Sequence, residues 1–184
     1  MQKYKIVFQG KTKKENEIII RYPVSEDVRS LMEYINKLSK ERTFILKQGE
    51  QIDLEGEKKF LDEILTKIIN KHTVMLLVFK GKELIGNSVI NMQAKVHSHV
   101  GNIGISIAKD YRGEGIGKLL MSLLLTEAKK NLVTIKIATL GVFANNPIAQ
   151  SMYKKMDFIE YGKLPQGIIY KNKYIDYILM YKNI

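Results

Sequence analysis

The chain has 184 residues, 45% hydrophobic and 27% charged, with a formal net charge of +11 and no cysteine. That composition belongs to a folded chain rather than a disordered one, and the length suits a single domain (1–184) burying about 70% of its unfolded surface. Disulfides, zinc–thiolate clusters and thiol nucleophiles are excluded, and the longest uncharged apolar run, residues 73–79, is too short to cross a bilayer.

The amino terminus lacks the apolar stretch of a signal peptide, so a cytoplasmic protein with no membrane partner is expected. The positive charge favours anionic partners. It is carried almost entirely by lysines spread along the chain, with Arg21, Arg29, Arg42 and Arg112 the only arginines. No helix-turn-helix, zinc finger or aromatic ribonucleoprotein motif accompanies it, which makes nucleic acid the minority reading.

Residues 4–8 and 17–22 read as strands around a basic turn at 10–16, so that 1–16 forms an extra edge element. Pro23 closes the second strand and Ser25 caps a helix carrying Val28, Leu31, Met32, Ile35 and Leu38 at helical spacing. A polar link over 40–55 leads to a second helix with Phe60, Leu61, Ile64, Leu65, Ile68 and Ile69 on one stripe. Residues 73–79 and 83–91 form a hairpin across Lys80-Gly81-Lys82, and 99–108 is a strand in which Gly101 and Gly104 mark a bulge or a close approach. A helix follows, with Ile116, Leu119, Leu120, Leu123 and Leu124 in register; then a strand over 134–143, a helix opened by Asn146-Pro147, and strands over 158–162 and 174–181. This alternation predicts an α/β (α+β) fold: a mixed sheet of about six or seven strands with helices on both faces.

The chemistry concentrates in the turn Arg112-Gly113-Glu114-Gly115-Ile116-Gly117-Lys118, between a strand and a helix. Glycines there let an anion approach the main chain where the first free N–H groups of the helix point outward. A P-loop requires Ser or Thr after Gly-Lys, and Gly117-Lys118 is followed by Leu119. The dinucleotide fingerprint requires two residues between its second and third glycines, and here only Ile116 stands there.

Arg112, Gly115 and Gly117 instead fit Arg/Gln-x-x-Gly-x-Gly/Ala, which resembles the acetyl-CoA signature of the GNAT superfamily of N-acetyltransferases. A later segment, VFANNPIAQSMYKKMDF, is similar to that family's second motif through Asn146, Ala149, Tyr153 and Phe158, with Asp157 where the family usually has glycine. The resemblance implies a GNAT-like acyl-CoA N-acyltransferase fold from about Glu17 onward. It also implies an enzyme using acetyl-CoA as co-substrate, without metal, to acetylate a primary amine of an unidentified acceptor in a ternary complex. Main-chain groups of Ser106, Ile107 and Ala108 would pair with the pantetheine arm, and the turn Arg112, Gly113, Glu114, Gly115, Ile116, Gly117, Lys118 would take the phosphates, aided by Lys109, Lys118, Lys154 or Lys155. Asn146 and Tyr153, seven residues apart and so on nearly one helix face at about 3.6 residues per turn, would face the cofactor. Tyr153 would protonate the leaving thiolate as a phenol of ordinary pKa about 10.

Read without the resemblance, Asn146 is a helix cap and Tyr153 a packed aromatic. His97, His99 and Asp176 are candidate groups for deprotonating or anchoring the amine, each equally readable as a surface residue. Acceptor specificity in this family rests with the first two helices, their loop and the last strands, here residues 28–71 and 164–181; Glu50, Asp53, Glu55 and Glu57 would draw in a cationic amine. A homodimer through the terminal strands is a further implication. Two other classes stay open at this point: an idle acyl-CoA-binding regulatory module, and a basic nucleic-acid or ribosome-binding domain.

Overall fold

A computed structural model describes residues 4–184; residues 1–3 of the expected 1–16 element lie outside the described residues. Eight strands, β1 (Ile6–Lys11), β2 (Glu17–Arg21), β3 (Thr73–Lys80), β4 (Glu83–Met92), β5 (Val100–Ile107), β6 (Ile137–Phe143), β7 (Ile159–Tyr170) and β8 (Lys173–Asn183), form one sheet in the order β1-β2-β3-β4-β5-β6-β8-β7. All neighbours are antiparallel except β5 and β6. The edge element over 1–16 accounts for the eighth strand, because β1 continues the sheet beside β2 instead of standing apart.

β3 is buried along its length up to Lys80. A strand apolar on both faces has to lie inside the sheet with a layer on each side. Four helices supply those layers: α1 (Val28–Glu41), α2 (Leu54–Ile69), α3 (Ile116–Asn131) and α4 (Pro147–Lys154). Ser106 of β5 touches Tyr34 of α1, whereas its neighbour Ile107 lies against Gly117 of α3. Successive residues of a strand face opposite ways, so α1 and α3 lie on opposite faces. Leu120, Met121, Leu124 and Ala128 of α3 are fully buried against the sheet, the larger side chains each contributing roughly 1.5–3 kcal/mol by leaving water.

Polar anchors fix where the helices begin. Arg21, at the end of β2, makes a two-pronged ion pair with Asp27 (2.7 and 2.6 Å), and both are buried. Asp27 also accepts the Val24 N–H at 2.8 Å. Ser25 therefore does not cap α1 as expected: its hydroxyl bonds Glu26, and a 3-10 turn over Ser25–Asp27 precedes the helix. The carboxylate outcompetes the hydroxyl because the guanidinium already holds it in place. On the other face Glu127 of α3 receives Lys5 and the Tyr22 hydroxyl, tying the first strands to that helix.

β7 is longer than the sequence suggests. The expected strand ends at Gly162, yet β7 runs on to Tyr170, past Pro165, through an irregularity between Leu164 and Ile168. It is an edge strand, where a proline lacking N–H costs no ladder bond. Gly101 and Gly104 mark no bulge: the β4–β5 ladder is unbroken from Gly86–Ile107 to Met92–Gly101. A Cβ on Gly101 would sit 2.7 Å from Ile90, so that glycine answers to packing. Among the described residues no helix is long and apolar enough to cross a membrane.

Candidate active site

β5 and β6 pair over only Val100–Ile137, Gly101–Ala138 and Asn102–Thr139, then diverge. The alternation along β5 decides which main-chain groups face the gap. The Ala108 N–H goes to Ile85 O of β4 at 2.8 Å, while the carbonyls of His99, Gly101 and Ile107 are reached from the other side by Ile137, Thr139 and Arg112. Ile105 and Ile107 thus turn their main chain toward the gap, where no strand pairs with them. Of the three residues expected to pair with an extended ligand, only Ile107 turns its main chain to the gap, together with Ile105; Ser106 and Ala108 turn theirs to β4.

At the open end of the gap the chain enters the glycine turn. Among the described residues, none of the six amides from Gly113 to Lys118 donates to a protein acceptor, and the first helical bond runs from Leu119 N–H to Gly115 O (3.1 Å). Gly113 and Gly115 adopt φ of +80° and +85°, a left-handed backbone that costs any residue with a Cβ roughly 1–2 kcal/mol. They are exposed, while Glu114 and Ile116 point inward. Unpaired N–H groups at a helix start, free of side chains, suit an anion.

Two of the turn's three charged side chains, Arg112 and Glu114, are bound to other parts of the protein. Arg112 sends Nε to Ile107 O (2.8 Å) and Nη2 to Glu41 of α1 (2.8 Å), and its own N–H goes to Lys109 O. It closes the end of β5 against α1, so the structure turns it away from the amide row. The Glu114 side chain is 3% exposed and accepts Thr12 Oγ1 (2.7 Å) and Asn16 Nδ2 (2.8 Å) from the β1–β2 turn. Those bonds, Asn16's foremost, hold its carboxyl below the usual range and keep it ionised. Lys118 is better placed: with Lys155, Pro147, Ile148, Ser151 and Met152 it lines an open groove of about 480 Å³ between α3 and α4.

Gly117 brings α4 to this place. A Cβ there would lie 3.4 Å from Met152 Sδ, so the start of α3 and the face of α4 meet closely. Asn146 caps α4 through Oδ1, which accepts the Ala149 N–H at 3.2 Å. Asp157 takes φ +62° just past the helix and receives Lys182, which is how it replaces a glycine. Between them Tyr153 is 7% exposed and packs on Phe158. Its hydroxyl has no hydrogen-bond partner among the described residues, and burial, with Tyr177 nearby, pushes its pKa up to about 12. Tyr177 of β8 crosses directly over Gly141 of β6: a Cβ on Gly141 would lie 1.9 Å from the Tyr177 oxygen. Two phenols without a hydrogen-bond partner among the described residues therefore stand near each other beside the gap.

The profile of the "Acetyltransferase (GNAT) family" matches residues 32–158. The chain belongs to that family. No curated protein matches its sequence. Among solved structures, a GNAT-family acetyltransferase from Streptococcus pneumoniae is 27% identical, with 91% of this chain and 100% of that one covered and a TM-score of 0.82. A ribosomal-protein-alanine N-acetyltransferase from Brucella melitensis (20% identity, 90% and 99% covered, TM-score 0.78) shares the fold. So does a putative acetyltransferase from Salmonella typhimurium solved with its cofactor acetyl-CoA (14%, 90% and 93%, 0.78).

The face of this GNAT sheet that carries α1 differs from the sequence expectations. His97 and His99 lie at the paired end of β5, away from the glycine turn. Asp176 is bound to the Gln166 N–H (2.9 Å) and Lys163 (3.3 Å), locking the β7 irregularity rather than offering itself to an amine. The acidic stretch is also structural: Asp53 caps α2 by accepting Gly56 N–H, Glu55 and Glu57 lie in its first turn, and Glu50 accepts the Gln48 N–H. What lines this side is aromatic. Phe44, from the loop after α1, stacks on Tyr170 (5.2 Å) and meets Phe143 edge-on (5.8 Å), and Phe143 meets Tyr177 (6.5 Å). Deeper in, Ser106 donates to Asn87 Oδ1 (2.7 Å), which leaves Tyr34 OH to donate to Ser106 Oγ (2.9 Å). Glu41, Tyr34, Phe44 and Tyr177 carry no motif in the sequence; the one clue was the glycine at 141, a gap in a strand waiting for an aromatic across the ladder.

Proposed function

We propose that this GNAT protein transfers the acetyl group of acetyl-CoA to a primary amine by direct attack within a ternary complex. The observation that carries the reading is the row of unpaired amides over residues 113–118 at the mouth of the β5–β6 gap, with the free Tyr153 hydroxyl beside it. The amides and the positive end of α3 receive the diphosphate. The open main chain of Ile105 and the Ile107 N–H pair with the pantetheine arm as an added strand would, the Ile107 carbonyl being held by Arg112. Lys118 and Lys155, across the groove from each other, neutralise the remaining phosphate charge.

The amine enters as the free base and its nitrogen bonds the acetyl carbon as the carbon–sulfur bond breaks. The electron pair leaves on sulfur, which takes the Tyr153 proton; the proton released from nitrogen restores the phenol. No covalent enzyme intermediate is needed, in keeping with a chain without cysteine. Burial holds the Tyr153 phenol protonated, so it keeps a proton for the departing sulfur. Positioning both reactants supplies the larger share of the rate. The Brucella melitensis neighbour is named for an alanine of a ribosomal protein; at 20% identity that likeness carries the fold, and the acceptor here is specified only as a primary amine.

Calorimetric titration with CoA, followed by mass spectrometry of an amine panel with acetyl-CoA, tests this. Saturable CoA binding together with acetylated product is expected. Absence of CoA binding, or acetyl-CoA left intact by every amine, refutes it.

A further inference from the structure

The hairpin that opens the chain lies outside residues 32–158 that match the family, yet it is built onto the glycine turn. Thr12, 9% exposed, and Asn16 both bond the Glu114 carboxylate, Lys14 Nζ stands 3.9 Å from its other oxygen, and the Lys13 N–H points at Glu114 O (3.4 Å). Within the turn Thr12 accepts the Lys14 N–H and Glu15 takes φ +62°, so the turn has one shape. These bonds take up the one buried negative charge beneath the amide row. They also lay the Lys13 side chain over Gly115: its Cε, Cδ and Cγ lie 3.4, 3.6 and 3.8 Å from where a Gly115 Cβ would be. Lys13 is exposed and forms no ion pair among the described residues, whereas Lys11 is held by Glu15 at 3.0 Å.

We propose that Lys13 is a phosphate ligand of the cofactor, carried over the amide row by the N-terminal hairpin and completing the diphosphate site from outside the family motif. The inference rests on the CoA-binding reading above. An ammonium one bond beyond Cε reaches the oxygens of an anion seated on residues 113–118, and a hydrogen bond to a charged group carries about 1.5–3 kcal/mol. The stem packed on Gly115 fixes the lysine before the anion arrives, which reduces the ordering cost on binding. Gly115 then has two duties, its left-handed backbone and the bare surface on which that stem lies.

The test compares Lys13→Met, which keeps the stem and removes the charge, with Lys11→Met in the full-length protein. Calorimetry with CoA, dephospho-CoA and pantetheine reads the effect. Lys13→Met is expected to weaken CoA and dephospho-CoA alike by about tenfold or more, with pantetheine unchanged and Lys11→Met within twofold of the parent. Undiminished CoA affinity in Lys13→Met overturns the inference while leaving the CoA reading intact. An equal loss for pantetheine also overturns it, by showing a structural effect. Loss confined to CoA would move Lys13 to the 3′-phosphate and overturn the diphosphate assignment. A parent protein that binds no CoA removes the underlying reading and this one with it.

Discussion

Replacing Gly141 by alanine isolates the contact that places Tyr177. The new methyl would lie 1.9 Å from the Tyr177 oxygen and 2.0 Å from Cζ. Carbon–carbon contact is comfortable near 3.5–4.0 Å, so the ring has to retreat by about 1.5–2 Å. Gly141 does not have a positive φ, so the backbone itself accepts alanine without strain and the whole cost falls on Tyr177. Overpacking of this kind costs about 1–3 kcal/mol. With Tyr177→Ala already in place the clash is gone, and Gly141→Ala should then be neutral or slightly stabilising, by about 0.4–1 kcal/mol through the unfolded chain. Urea unfolding of the four proteins gives the coupling from midpoints at constant slope. Acetyl-transfer kinetics on the same set should show Gly141→Ala lowering kcat with CoA affinity unchanged, because residues 113–118 lie elsewhere. Additivity of the two substitutions within about 0.5 kcal/mol would refute the steric account, and unaltered kcat would remove Tyr177 from the acceptor side.

Tyr153→Phe should lower turnover by about 10²–10⁴-fold, the range for a lost general acid, while calorimetry finds CoA affinity nearly unchanged; full turnover would exclude the phenol as proton donor, and the same variant separates an enzyme from a passive CoA sensor. Tyr153 has its pKa pushed up to about 12 by burial, so the pH–rate profile should show no loss from its ionisation through pH 10, falling only as pH rises through about 12. The corresponding stability has the same sign: the fold favours the neutral phenol, which helps in full below the unfolded value of about 10 and is lost as pH climbs through the folded one. A descending limb near pH 9 that titrates Tyr153 by NMR would contradict this. Arg21→Met should destabilise the protein by about 3–5 kcal/mol, since Asp27 would be left buried without its partner; a urea midpoint shift worth less than about 1 kcal/mol would mean the pair behaves as an exposed one.

Local chemistry was legible in the sequence and cross-chain geometry was not. The helices, the Gly81 turn, the Asn146-Pro147 helix start and the glycine turn each depend on residues a few positions apart and appear where their patterns place them, although Phe60 and Ile69 of the expected α2 stripe are exposed. The place of the Arg112 guanidinium was not legible: its motif position indicates where the chain lies, while its partner, Glu41, is 71 residues away. The anchor of the Glu114 side chain was hidden for the same reason, its partners Thr12 and Asn16 lying 102 and 98 residues back, while its N–H stays in the free amide row. The acids over 50–57 looked like a charged mouth because a cap and a first-turn carboxylate resemble a binding cluster until the helix start is known. Ser106 and Ala108 failed on parity: β5 was correctly a strand, but which of its residues face β4 depends on the Ala108–Ile85 bond, which no local pattern encodes.

The gap itself follows from two ladders that are each complete. β5 keeps register with β4 from Gly101 to Ile107, and β6 keeps register with β8 from Ile137 to Phe143. Each strand follows its antiparallel partner, and sheet twist accumulates in both halves, so β5 and β6 hold together only over their first three pairs. Beyond that point β5 presents main-chain groups that ought to be bonded in a folded protein. α3 begins there through the glycine turn, and α4 reaches the same place with Met152 against Gly117. Unpaired strand groups, unpaired helix amides and a phenol without a partner therefore converge because the sheet divides at one place. Their common deficit is of hydrogen-bond partners, and an extended amide chain ending in phosphate is the kind of molecule that supplies all of them at once.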